Sequence, residues 1–154
     1  MKARMLLLTL ALCIAGTAAS FAQSPQMGTW KLDEAKSKIP AGMVKNSTVI
    51  YAAEGDSVKV TTDGTGGDGK PIHTEWTGKF DGKEYPLTGD STADSRSYKM
   101  IDEHKLELTS KKGGKETNSG RVEVSKDGKT RTLHMTATDS SGKKVSGVSM
   151  YEKQ

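Results

Sequence analysis

Residues 121–137 read RVEVSKDGKTRTLHMTA, and this stretch decides the fold. Val122 and Val124 alternate with Arg121 and Glu123 ahead of Asp127-Gly128, and Leu133, Met135 and Ala137 alternate with Thr132, His134 and Thr136 beyond it. Alternation with period two marks a half-buried strand. Asp-Gly between two such runs is hairpin chemistry, because glycine takes the positive φ of a type I′ turn without a Cβ clash.

The same pattern extends outward from this hairpin. Val58 and Val60, then Ile72, Trp76 and Phe80, then Tyr98 and Met100, then Leu106 and Leu108 hold one parity, with Lys, Glu, Thr, Ser and His between them. Glycine followed by lysine interrupts the runs at Gly69-Lys70, Gly82-Lys83, Gly114-Lys115, Gly128-Lys129 and Gly142-Lys143. The segments between share nothing beyond alternation, so this is hairpin punctuation and not a solenoid repeat. It predicts about ten strands: Thr29–Leu32, Ser47–Ala53, Ser57–Asp63, Ile72–Phe80, Glu84–Leu87, Arg96–Ile101, Lys105–Lys111, Glu116–Ser125, Thr130–Asp139 and Lys144–Lys153. Closing so long a meander on itself removes the exposed edges that an open sheet would leave. The expected fold is all-β, an up-and-down antiparallel meander closed into a barrel. A disordered chain of similar composition would show neither strict alternation nor balanced charge.

Charge narrows the functional classes. The 154 residues carry a formal net charge of +4, which invites a nucleic-acid reading. However, Lys2 and Arg4 precede the apolar run Met5–Ala15, and Ala18-Ala19-Ser20-Phe21-Ala22 supplies small residues for cleavage, so residues 1–22 read as a secretory signal. The run is shorter than the roughly 20 apolar residues a membrane-spanning helix needs. Without Lys2 and Arg4, the 23 basic residues become 21 against 19 acidic, and the basic character largely goes. The mature chain, residues 23–154, is then expected to bind no nucleic acid and to have no transmembrane segment. Cys13 is the one cysteine and falls inside the signal, so no disulfide holds the domain. A bacterial periplasm or the medium is the expected compartment, and a monomer the expected state.

Gly28-Thr29-Trp30-Lys31-Leu32 opens the domain and Met150-Tyr151-Glu152-Lys153 closes it. Gly28-x-Trp30 resembles the first-strand signature of the calycins, the lipocalins and intracellular fatty-acid-binding proteins, and the last strand is similar to that of the latter. The stretches FDGKEYPLTGD and GRVEVSKDGKTRTL resemble short exported bacterial lipocalin-like proteins, over essentially the whole mature chain. The resemblance implies a barrel plugged at its closed end by Trp30, with an arginine laid across the indole. Arg131, in phase with Leu133 and Met135, is the expected arginine, and Arg121 its rival. In fatty-acid-binding proteins an Arg-x-Tyr pair on the last strand grips the ligand carboxylate; here the matching positions hold Ser149 and Tyr151, so only the tyrosine carries over.

Alternate turns of such a barrel lie at opposite ends. The connections around Asp33–Asn46, Gly64–Lys70 and Thr88–Asp94 therefore share one rim, and the tight turns at Gly55, Gly82, His104 and Gly128 the other. Gathered long loops read as a portal, with a helical turn over Asp33–Lys38 ended by Pro40 and Gly42. Inside, the expected ligand contacts are Arg96, Tyr98, Trp76, Tyr151 and Met135. Arg96 either anchors a ligand anion or snorkels into water at its strand start. His73 and His134 fall on the polar parity and His104 in a turn, and no nucleophile elbow or metal-ligand spacing appears, so neither enzyme chemistry nor a cofactor is expected. Two functions remain: an exported protein holding a small lipophilic or amphipathic ligand in its lumen, or a ligand-free envelope module docking a protein or polysaccharide through its rim loops. A lumen of a few hundred Å³ would favour the first, and a filled one the second.

Overall fold

The structure, a computed structural model, describes residues 24–139 and 141–154. The expected signal, residues 1–22, lies outside the described residues. Ten strands follow one another: β1 Gly28–Lys38, β2 Lys45–Glu54, β3 Ser57–Thr65, β4 Pro71–Gly78, β5 Asp81–Thr88, β6 Ser95–Asp102, β7 Lys105–Lys112, β8 Lys115–Val124, β9 Thr130–Thr138 and β10 Lys144–Lys153. Each pairs antiparallel with its neighbours in sequence, and β1 pairs with β10 to close the barrel. The up-and-down meander expected from alternation is the observed fold.

Aspartate makes the punctuation work. Asp68 Oδ1 accepts from the Lys70 N–H at 3.1 Å, Asp81 Oδ1 from Lys83 at 3.0 Å and Asp127 Oδ1 from Lys129 at 3.0 Å. Each bond spans a glycine at positive φ, +81° for Gly69, +80° for Gly82 and +73° for Gly128. The carboxylate thus stands in for a backbone acceptor while glycine supplies the left-handed step. Two of these are loops, but Asp81-Gly82-Lys83 lies within β5. There the register slips between Asp81 and Glu84, so the expected turn at Gly82 is a bulge, and the chain reverses at Lys79–Phe80 instead.

The expected helical turn over Asp33–Lys38 is also a bulge. Asp33 faces Met150 and Lys38 faces Val148, so β1 carries extra residues against β10. Ser37 bridges the gap, its hydroxyl donating to the Asp33 carbonyl at 2.7 Å and accepting from the Met150 N–H at 2.9 Å. A hydroxyl that both donates and accepts repairs a ladder that a helix would have abandoned.

The connections sort by end largely as alternation requires. Residues 39–44, 66–70 and 89–94 share one rim, where Gly67 packs on the backbone of Gly42. The opposite end carries the reversals near Gly55, Lys79 and His104 and the loop 125–129, together with the segment Ser24–Met27 that precedes β1. The core of this closed half is largely aromatic. Trp76 stacks on Phe80 at 6.4 Å and meets Tyr98 edge-on at 4.8 Å, and Tyr98 meets Tyr51 at 6.1 Å. Such offset and edge-to-face pairs each add about 1 kcal/mol beyond their burial.

Two features of the core depart from simple parity. Met100, expected inside, is 38% exposed beside Ile101 at 48%, because the register of β6 against β7 shifts between Met100 and Asp102. Val49 and Tyr51 of β2 belong to the core although alternation did not single them out.

Candidate functional site

The open half of the barrel encloses a cavity of about 130 Å³. Its apolar wall comes from Ile72, Leu133, Met135 and Ala137, and Met43 and Val44 of the loop 39–44 cover it. That loop is seated on a strand: a Cβ at Gly147 would lie 2.9 Å from Pro40 Cδ and 3.3 Å from Met43 Sδ, so the missing side chain makes room for the lid.

The polar wall is built by Arg96, Asp90, Thr74, Asn118 and Ser149. Arg96 points inward, its side chain only 12% exposed, and does not snorkel into water. Its Nε donates to Ser110 Oγ at 2.8 Å, while its Nη2 stands 4.0 Å from Asp90 Oδ2, the limit of an ion pair. The guanidinium is therefore held in place at one edge and loosely compensated at the other. Asn118 Oδ1 is buried without a hydrogen-bond partner in the same cavity wall. An acceptor so placed is satisfied only by a donor that enters. The cavity can thus hold an apolar body against Met135 and Leu133 while a polar end meets Arg96 and Asn118.

The expected contacts divide between the two halves. Arg96 and Met135 line the cavity. Trp76, Tyr98 and Tyr151 are buried beneath it in the core; Trp76 Nε1 donates to the Arg96 carbonyl at 2.8 Å and so fixes the strand that carries the arginine. Asn118 and Ser110 were missed, though parity marks them: Ser110 is in phase with Leu106 and Leu108, and Asn118 with Val122 and Val124. Reading parity through polar positions as well as apolar ones finds both.

The closed end corrects the expected cation. Lys153 Nζ, not Arg131, lies over the Trp30 indole, 5.1 Å from its centre. Arg131 is 2% exposed and lies 4.8 Å over the Tyr51 ring and 5.2 Å over that of Tyr151. Its rival Arg121 is on the outer wall, 3.6 Å from Glu107. Trp30 is fully buried and its Nε1 donates to the Gln26 carbonyl at 3.0 Å. Burial pushes the phenols of Tyr51 and Tyr151 up, against the pull of Arg131.

A larger concavity of about 860 Å³ lies along the outer wall, where Glu107, Arg121, His134, Val148 and Lys38 form a row across five strands. It is open to solvent, and its ionic groups are paired or exposed. The enclosed lumen, with its unpartnered acceptor, is the better candidate site.

A closed ten-stranded antiparallel barrel with an internal cavity is the class that fold and site define. No family model and no curated protein matches the chain. The chain is similar to a solved structure of EF1p2_mFAP2b bound to DFHBI, with 11% identity and a TM-score of 0.46 over 84% of this chain and 94% of that chain.

Proposed function

We propose that this chain is a non-enzymatic binding protein that holds one small amphipathic molecule in the open half of its barrel. The observation that carries the reading is the enclosed wall that sets the Arg96 guanidinium and the unpartnered Asn118 Oδ1 across from Met135 and Leu133. Volume limits the ligand. A cavity of about 130 Å³ is below the few hundred Å³ expected of a lipid-carrying lumen, and is close to the roughly 150 Å³ that suffices for benzene. The ligand is therefore a compact molecule of about benzene size with a hydrogen-bond donor and an electron-rich group, not an extended fatty acid. The departure at Ser149 from the Arg-x-Tyr pattern supports the same choice. Export to a bacterial periplasm or the medium belongs to this proposal and rests on the character of residues 1–22.

The ligand-free docking module remains the second reading, and the extent of the buried aromatic core in the closed half favours it. Native mass spectrometry of the protein recovered from its own envelope, with uptake of a fluorescent probe of benzene size, separates the two. A small-mass adduct and probe uptake support the binding protein; the absence of both contradicts it.

A further inference from the structure

We infer that the closed end of the barrel holds a small monovalent anion of halide size against the guanidinium of Arg131, at a site separate from the lumen cavity. Arg131 is a permanent cation, 2% exposed, whose one hydrogen bond among the described residues is from Nη2 to Tyr51 Oη at 2.8 Å. Its Nε and Nη1 are buried without partners among the described residues. Among the described residues, none of the buried polar ones is an acid: they are Gln26, Thr62, Thr74, Ser110, Ser149 and Arg131 itself. A desolvated charge without a counter-charge is the costliest polar group a core can contain, and proteins resolve it by pairing.

The geometry selects the kind of partner. The rings of Tyr51 and Tyr151 lie 4.8 and 5.2 Å from the guanidinium carbon, so an ion approaches in the guanidinium plane and not over its face. Nη2 carries two hydrogens, and Tyr51 takes one. Whichever it takes, the other lies beside an unpaired N–H, on Nε or on Nη1, and the two make a fork for one anion. Tyr151 Oη, near Ser149, also makes no hydrogen bond of normal length. Gln26, fully buried at the same end of the barrel, has both amide atoms unpaired.

The lumen ligand is not this counter-ion. Arg131, Tyr151 and Gln26 do not line the cavity, and Trp76, Tyr98 and Phe80 pack on one another as a layer of the core. A single buried cation calls for a single negative charge, small enough to sit among packed rings.

The test uses the full chain in sodium chloride, sodium bromide and sodium gluconate at one ionic strength, since gluconate is too large for the site. Saturable binding of halide raises the melting temperature by about 3 °C over gluconate, the rise scaling with the logarithm of halide concentration. R131M removes the halide dependence. A crystal grown in bromide shows an anomalous peak in contact with the Arg131 guanidinium, and this readout stands even if R131M does not fold. Equal melting temperatures in the three salts, or a water without anomalous signal beside Arg131 in bromide, overturns the inference. Because the lumen ligand plays no part in this readout, loss of probe binding in the cavity leaves the halide result intact, and the two proposals fail separately.

Discussion

Lys153 lies across Trp30, its Nζ 5.1 Å from the centre of the indole, and Gly28 is the residue that lets it lie there. Gly28 adopts φ +114°, and a Cβ on it would stand 2.8 Å from Lys153 Cε. Lys153 then reaches the Pro25 carbonyl at 3.3 Å, while Trp30 bonds the Gln26 carbonyl. The first strand, the last strand and the segment before β1 are tied at one point. The Gly-x-Trp spacing has a local cause in this chain: two residues along a strand place the glycine on the same face as the indole, where the lysine stem must pass.

Gly28→Ala is expected to destabilise the barrel by about 1–3 kcal/mol, through the strained φ and the displaced lysine. Lys153→Met keeps the apolar stem and loses the charge over the ring together with the exposed bond to the Pro25 carbonyl, so about 0.5–1 kcal/mol is expected. Denaturant unfolding followed by tryptophan fluorescence checks both. Equal costs for the two variants would contradict the role given to Gly28.

Tyr51→Phe removes the one protein acceptor that the Arg131 guanidinium has among the described residues, at fixed ring shape. A buried hydrogen bond to a charged group is lost and the ring contact retained, so a cost of about 1.5–3 kcal/mol is expected from equilibrium unfolding. A change below about 0.5 kcal/mol would show that the phenol oxygen does not hold the guanidinium.

His73 provides a pH-dependent contact on the outer wall. Its Nδ1 is 2.6 Å from Asp63 Oδ1, and this bond raises its pKa above the ordinary value of 6.5. A group whose folded pKa is raised contributes stability that is complete below its unfolded value and is lost as pH rises through the folded value. The barrel should therefore lose this contribution on the alkaline side of 6.5 and keep it on the acid side. Proton NMR of the imidazole should give a midpoint above that of D63N. Identical midpoints would remove Asp63 as the cause.

Much of this architecture is legible in the sequence, because period-two alternation and Asp-Gly-Lys report local physics. Alternation fixes which face of a strand is buried, and an aspartate that accepts from the N–H two residues on fixes a left-handed glycine step, a reversal at Asp68 and Asp127 and a bulge at Asp81. What depends on pairing between distant strands is not legible. Arg131 and Lys153 are both cations near strand ends, and only the register of β1 on β10, with Trp30 opposite Lys153, decides which one reaches the indole. Met100 has the parity of Tyr98 but leaves the core where β6 slips against β7. In β2 the run Val49-Ile50-Tyr51-Ala52 is apolar on both parities, so Tyr51 gives no sign of its side until the sheet is closed. Of the site, the inward arginine is on the chain for anyone who follows parity, while the size of the space beside it is set by the loop 39–44 lying on Gly147.

Filling the lumen should abolish binding without harming the fold. Ala137 lines the cavity on the inward parity of β9, and Ala137→Phe places a ring where the ligand's apolar body would lie. Loss of adduct and of probe uptake is expected, with stability unchanged or raised by up to about 2 kcal/mol as the void closes. Unaltered binding in this variant would place the ligand elsewhere.

The most direct measurement is a methyl and amide NMR titration with benzene-sized amphipaths, phenol, catechol and benzamide, beside palmitate as an extended lipid. Lumen binding predicts saturable shifts at Met43, Met135, Ala137 and Asn118 with at least one of the compact probes, none with palmitate, and a quiet outer wall at His134 and Thr136. No lumen shifts with any compact probe, or shifts confined to the outer wall, would contradict it.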